Sequence, residues 1–137
     1  MKIVIDSNRL IAALLKDSTT REILFSRNFE FIAPEFIREE LVKHRQYLMQ
    51  KIKTQEDHYV ALLSLLFERV NMIPKKEYES YFTELRSEIP DFKDVPYLAC
   101  CLARKAQGIW THDPHFLEQK KSKIYTNKEL LDILRKL

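Results

Sequence analysis

Ile3-Val4-Ile5-Asp6-Ser7-Asn8 is the stretch whose reading decides the fold. Residues 2–5 form a short β-branched run, which predicts a buried first strand, and Asp6 stands where that strand ends. Helical patterns follow at about 7–16 and 19–27, then the short apolar segment Phe29-Glu30-Phe31-Ile32. Pro34 sits where a helix can begin, and helical periodicity runs from 35 to about 52. A second long helix is predicted over about 55–69, carrying Val60, Leu62, Leu63, Leu65, Leu66 and Phe67. Val70 to Ile73 reads as a strand that stops at Pro74. Helices are expected again at 75–87 and 93–107, short strands at Ile109-Trp110-Thr111 and Ile124-Tyr125-Thr126, and a closing helix at 127–136. Strands that alternate with helices imply a mainly parallel sheet covered on both faces. The expected architecture is therefore α/β: one three-layer α/β/α domain over 1–137, with an extra helical arm around 43–69.

Composition narrows the function. The chain has 137 residues, 45% of them hydrophobic, enough for one domain with a real core. Its net charge of +3 permits a nucleic-acid partner without demanding one. Basic residues crowd two stretches, Lys43, His44, Arg45, Lys51 and Lys53, then Lys120, Lys121 and Lys123; each is either a solvated helix face or a phosphate contact. Gly108 is the only glycine. Phosphate-cradling loops and dinucleotide fingerprints need several, so both kinds of nucleotide site are excluded. Cys100 and Cys101 are adjacent in an apolar helical stretch, where neighbours point about 100° apart and do not bridge. They read as buried packing residues in a reducing compartment. No N-terminal signal or spanning apolar segment is visible, so a cytoplasmic protein without membrane contact is expected.

Four carboxylates carry the chemistry: Asp6, Glu40, Asp94 and Asp113. Asp6 and Asp113 follow predicted strands, and ligands of open α/β sheets bind beyond the carboxyl ends of strands. Glu40 borders the apolar stripe of Ile37, Leu41, Leu48 and Ile52, whereas Glu39 points away into solvent. Asp94 shares a face with Leu98, Cys101 and Leu102, and Pro96 places it at the helix N-terminus, where the dipole favours an ionised carboxylate. Asp91 reads first as a helix-capping residue beside it, and otherwise as a further group that supports the acids from behind. Ser7, Asn8 and Thr111 stand close enough in sequence to orient these carboxylates or hold a metal-bound water; Ser7 or Asn8 equally suits a helix cap. Crowded carboxylates repel and lose hydration, so a divalent cation is the usual counter-charge. Such clusters suit two-metal phosphodiester hydrolysis, with metals roughly 3.5–4 Å apart. Arg9 and the basic stretch with Lys43 and Arg45 are then candidates to hold a nucleic-acid backbone. His44, His58, His112 and His115 show no metal-site spacing; His112 and His115 flank Asp113, where they either touch a substrate or, the preferred reading, are surface or loop residues.

Taken together these segments resemble PIN domains. The opening Ile3-Val4-Ile5-Asp6-Ser7-Asn8 resembles the start of that family. Pro34-Glu35-Phe36-Ile37-Arg38-Glu39-Glu40-Leu41 resembles its helix bearing an acidic residue before Leu. Asp91-Phe92-Lys93-Asp94-Val95-Pro96-Tyr97-Leu98-Ala99 looks like its D-x-x-D stretch, and Gly108-Ile109-Trp110-Thr111-His112-Asp113 like its closing strand and T-x-D motif. The four occur in order across nearly the whole chain. The resemblance implies a Mg²⁺- or Mn²⁺-dependent nuclease, most often acting on RNA. Asp6, Glu40, Asp94 and Asp113 would be its acidic site, and Asp6, Asp94 and Asp113 its metal ligands. It also implies a homodimer, and many small members are VapC-type toxins paired with an antitoxin protein. Arg9 stands where a hydrophobic residue is commoner, and Ser7 replaces Thr. The arm at 43–69 is longer than compact toxins carry.

Two other classes compete. Aspartyl-phosphate phosphatases need D-x-D after the first strand, and the third position here is Asn8. A catalytically silent RNA-binding or assembly module would hold RNA with strong salt dependence and leave it uncut.

Overall fold

A computed structural model describes residues 1–15 and 17–137; the last residue of the helix expected over 7–16 lies outside them. The sheet has five strands: β1 (Lys2–Ile5), β2 (Glu30–Pro34), β3 (Val70–Ile73), β4 (Gly108–Trp110) and β5 (Ile124–Tyr125). Their order is β3-β2-β1-β4-β5 and all four pairings are parallel. β1 is central because Ile3, Val4 and Ile5 are apolar on both faces and fully buried.

The chain winds outward from β1 to β2 to β3, then returns across the sheet to β4 and β5. Right-handed crossovers in opposite directions put their helices on opposite faces. The outward crossovers carry α1 (Ser7–Leu14), α2 (Ser18–Leu24), α3 (Phe36–Lys43), α4 (Arg45–Ile52) and α5 (Glu56–Phe67), and the final helix α9 (Asn127–Arg135) packs against α2. The return crossover carries α6 (Lys75–Tyr78), α7 (Phe82–Leu85) and α8 (Val95–Ala103). α8 lies on β1, β2 and β4, with α6 and α7 packed against it. The result is a three-layer α/β/α fold.

Several elements differ from their sequence pattern at identifiable points. The helix expected over 35–52 breaks at His44, whose φ of −94° and ψ of 15° turn α4 away from α3. The 75–87 helix is interrupted by a 3₁₀ turn at Glu79–Tyr81. The 93–107 helix stops at Ala103, because Lys105 takes a positive φ of 53° while Lys105 N–H bonds Leu102 O and Ala106 N–H bonds Cys101 O. That pair of bonds is the Schellman pattern, here without the glycine that usually accommodates it. A 3₁₀ turn over Pro114–Glu118, absent from the sequence reading, follows β4. Cys100 and Cys101 are free and buried.

Gly108 is the one glycine whose absence of a side chain is structural. A Cβ there would run into the Lys123 carbonyl and the Tyr125 ring across the β4–β5 pair. Trp110, fully buried in the same strand, stacks near Phe31 and donates its indole N–H to Asn127 Oδ1 at 2.8 Å. No helix among the described residues is long and apolar enough to cross a membrane.

Candidate metal centre

β1 and β4 are neighbours whose crossovers leave in opposite directions, so a crevice opens beyond their carboxyl ends. Asp6 follows β1 there, its N–H bonded to Trp110 O at 3.1 Å. Asp113 follows β4, with Thr111 between them. Thr111 is fully buried and ties the Asp6 carboxylate to the Asp113 backbone: its hydroxyl donates to Asp6 Oδ2 at 2.6 Å and accepts from Asp113 N–H at 3.0 Å. Two helices complete the ring. α3 presents Glu40, and Asp94 holds the N-cap position of α8.

The cavity so formed measures about 610 Å³, within the usual range for a ligand site. All four carboxylates line it, as do Ser7, Asn8, Asp91 and Lys43. Glu39 is exposed and stays outside. Thr111 supports it from behind. Arg9 and Arg45 are not brought in: Arg9 reaches Asn127 Oδ1 at 3.5 Å, and Arg45 pairs with Glu56 at 2.9 Å.

Burial sets the electrostatics. Asp6 is 3% exposed, and its pKa is raised chiefly by lost hydration. The Thr111 hydroxyl opposes that rise and the charge of Asp113 adds to it. Glu40 is raised for the same first reason; the hydroxyls of Ser7 and Tyr97 counteract, and the charge of Asp6 reinforces. The Tyr97 hydroxyl lies 3.5 Å from Glu40 Oε1. Asp94 is pushed up to about 7 by desolvation, then by the charges of Asp113, Asp6 and Asp91. Its N-cap position carries no side-chain capping bond, and Asp94 Oδ2 is buried without any hydrogen-bond partner. Asp91, by contrast, spends one oxygen on Lys93 N–H at 3.0 Å and so closes the turn before α8 instead of capping that helix.

These observations fit a divalent cation. Ligand atoms of Asp94, Asp113 and His115 lie within 4.8 Å of one another. The orphaned Asp94 oxygen and the mutual repulsion of the acids are the two deficits that a cation would remove.

His115 was not legible as a site residue. It lies two positions beyond Asp113, whose side chain accepts from His115 N–H at 2.9 Å and caps the 3₁₀ turn begun by Pro114. That tight turn brings the imidazole Nδ1 back to 3.5 Å from Asp113 Oδ1. His112 faces elsewhere, its Nε2 accepting from Asn127 N–H at 3.1 Å. Tyr97 was missed for a different reason. Its ring is buried, so helical periodicity counts it as core while its hydroxyl tip reaches the acids.

An all-parallel sheet with acids gathered at its switch point defines an α/β protein with a cation-competent crevice. A family model described as PIN domain matches residues 4–129, and the chain belongs to that family. PIN domains are a nuclease-type fold, generally hydrolases, and typically use divalent metals. Curated proteins give no match to this chain.

Proposed function

We propose that the protein is a Mg²⁺- or Mn²⁺-dependent endoribonuclease that hydrolyses RNA phosphodiester bonds, with Asp6, Glu40, Asp94 and Asp113 as its acidic site. The single observation that carries this reading is the unpartnered, buried Asp94 Oδ2 beside Asp113 and His115. Asp6, Asp94 and Asp113 would hold the cation, with His115 as a further donor on the open side. When bound, a cation there would lower the pKa of the attacking water and offset charge on the phosphoryl oxygens.

The chain's own residues do the rest. Thr111 fixes the Asp6 carboxylate and the backbone before Asp113 with one hydroxyl, so the two strand ends keep their spacing. Glu40 has its pKa raised by burial and sits on the Ser7 side of the cluster. That raised basicity suits it to take a proton from the attacking water. Tyr97 donates to Glu40 and orients it. Lys43, exposed at the cavity rim, offers a charge to the substrate backbone.

The test is cleavage of an end-labelled single-stranded RNA by wild type and Asp94→Asn, with Mn²⁺ or with EDTA. Cutting by wild type only, and only with metal, is expected. Equal cutting by both proteins would refute the assigned site, and metal-independent cutting would refute the mechanism.

A further inference from the structure

Besides the acids, the cavity is lined by rings, those of Phe36, Tyr78, Phe82, Phe92 and Tyr97. Packing accounts for four of them. Phe36 meets Tyr97 edge-on at 5.5 Å, and the Tyr78 and Phe82 rings lie 5.7 Å apart. Phe92 has no such explanation: it is 76% exposed and, among the described residues, pairs with no other ring.

Its backbone is nevertheless held. Asp91 caps Lys93 N–H, Asp94 N–H bonds Asp91 O at 3.0 Å, and Val95 N–H bonds Phe92 O at 3.2 Å. A phenyl group is therefore presented at the cleft by a hydrogen-bonded turn, between two carboxylates of the acid cluster.

Charge says what the ring is for. Lys43, Lys75, Arg86 and Lys93 line the same cavity, all four are exposed, and among the described residues none enters an ion pair. Unpaired cations around an acidic floor suit a ligand that carries regular negative charge and also offers flat apolar faces. A nucleic-acid strand has both; a peptide lacks the first. In a duplex the bases are stacked and paired, so a ring beside the scissile phosphate can be reached only by an unpaired base.

We propose that the nucleotide adjoining the cut bond stacks its base on Phe92 while Lys93 and Arg86 hold neighbouring phosphates. This rests on the nuclease reading of the acid cluster and adds to it the residues that would seat the base. Stacking on one aromatic side chain changes affinity about 10- to 100-fold per base.

The experiment measures binding in the Asp94→Asn background, by fluorescence anisotropy with a labelled single strand of about eight nucleotides and with the same sequence as a duplex. Phe92→Ala is expected to weaken the single strand about 10- to 100-fold and to leave the thermal midpoint unchanged, since the ring is exposed. Phe92→Trp should retain affinity, and its new indole should be quenched on binding, against the silent buried Trp110. Unaltered single-strand affinity in Phe92→Ala would overturn the proposal, as would a duplex bound as tightly as the single strand. Metal-dependent cutting alongside either of those results would sink the stacking and leave the nuclease standing. No binding to either nucleic-acid form, with no cutting by wild type, would sink both.

Discussion

Asp94→Asn should stabilise the metal-free protein at pH 8 and lose that advantage at pH 4. The Asp94 pKa rises from 3.8 to about 7 on folding, chiefly through desolvation and then through Asp113, Asp6 and Asp91. A raised folded pKa means that the native state binds the proton more tightly than the unfolded chain. The stability so gained is complete below the unfolded pKa of 3.8 and is lost as pH climbs through about 7. Taken in full, a rise of that size corresponds to about 4 kcal/mol. Asp94 is only partly buried and faces an open cleft, so solvent screening reduces this to about 1–2 kcal/mol. For a chain of this size that is about 4–8 °C in thermal midpoint. Asparagine cannot ionise, so it escapes the loss.

The assay is thermal unfolding of both proteins in EDTA at pH 4 and pH 8, then at pH 8 with excess Mn²⁺. Asp94 is coupled to Asp113, Asp6 and Asp91, so the difference between the two proteins reports the charge at position 94 together with the repulsion it exerts on those neighbours. With metal the order should invert. Wild type gains about 2.7 kcal/mol at a hundredfold excess over its dissociation constant, and the variant gains far less. Two results would refute the reasoning: a variant less stable than wild type at pH 8 in EDTA, or equal stabilisation of both by Mn²⁺.

Two further outcomes follow from the packing. Thr111→Val keeps the shape of the side chain but removes its bond to Asp6 and leaves Asp113 N–H without its acceptor; a loss of about 1–3 kcal/mol in urea unfolding is expected, with weaker Mn²⁺ binding by calorimetry, and a loss below about 0.5 kcal/mol would show that the hydroxyl is dispensable. Gly108→Ala drives a methyl group into the Lys123 carbonyl and the Tyr125 ring, so about 1–3 kcal/mol should be lost, whereas a neutral result in denaturant titration would mean that β5 shifts freely.

Strand-borne features were legible in the sequence and turn-borne ones were not. A strand points its end residue toward a predictable edge, so a buried β-branched run followed by Asp located Asp6, and the T-x-D after Trp110 located Asp113. Glu40 was legible because helical phase distinguishes it from Glu39, and Asp94 because Pro96 marks it as the N-terminal end of a helix whose buried face it shares. His115 escaped because its position depends on a tight turn whose geometry comes from Pro114 and the Asp113 cap. The breaks at His44 and at Glu79–Tyr81 escaped too, since neither carries glycine or proline and periodicity continues across them. Arg9 and Arg45 show the converse limit. Composition marks a cation, but only the fold determines whether it meets a cleft or a neighbouring carboxylate or amide.

The acids and the rings of the cleft differ in origin, and that difference assigns them separable tasks. The acidic floor stands at the ends of β1 and β4 and on the helices packed beside them, so displacing it costs core contacts. The aromatic wall comes largely from residues 75–86 and Phe92, with Tyr78, Phe82 and Arg86 recurring at every fourth position despite the 3₁₀ interruption. Changes in the floor should therefore appear as altered metal affinity and altered pH dependence of stability. Changes in the wall should leave both untouched and alter only which nucleic acid is held. The orphaned Asp94 oxygen and the exposed Phe92 ring sit two residues apart at the junction of these halves, each costing the free protein something that a different ligand would restore. On the proposed reading a cation would satisfy the first and a base the second, so one turn before α8 would couple the metal to the strand that it cuts.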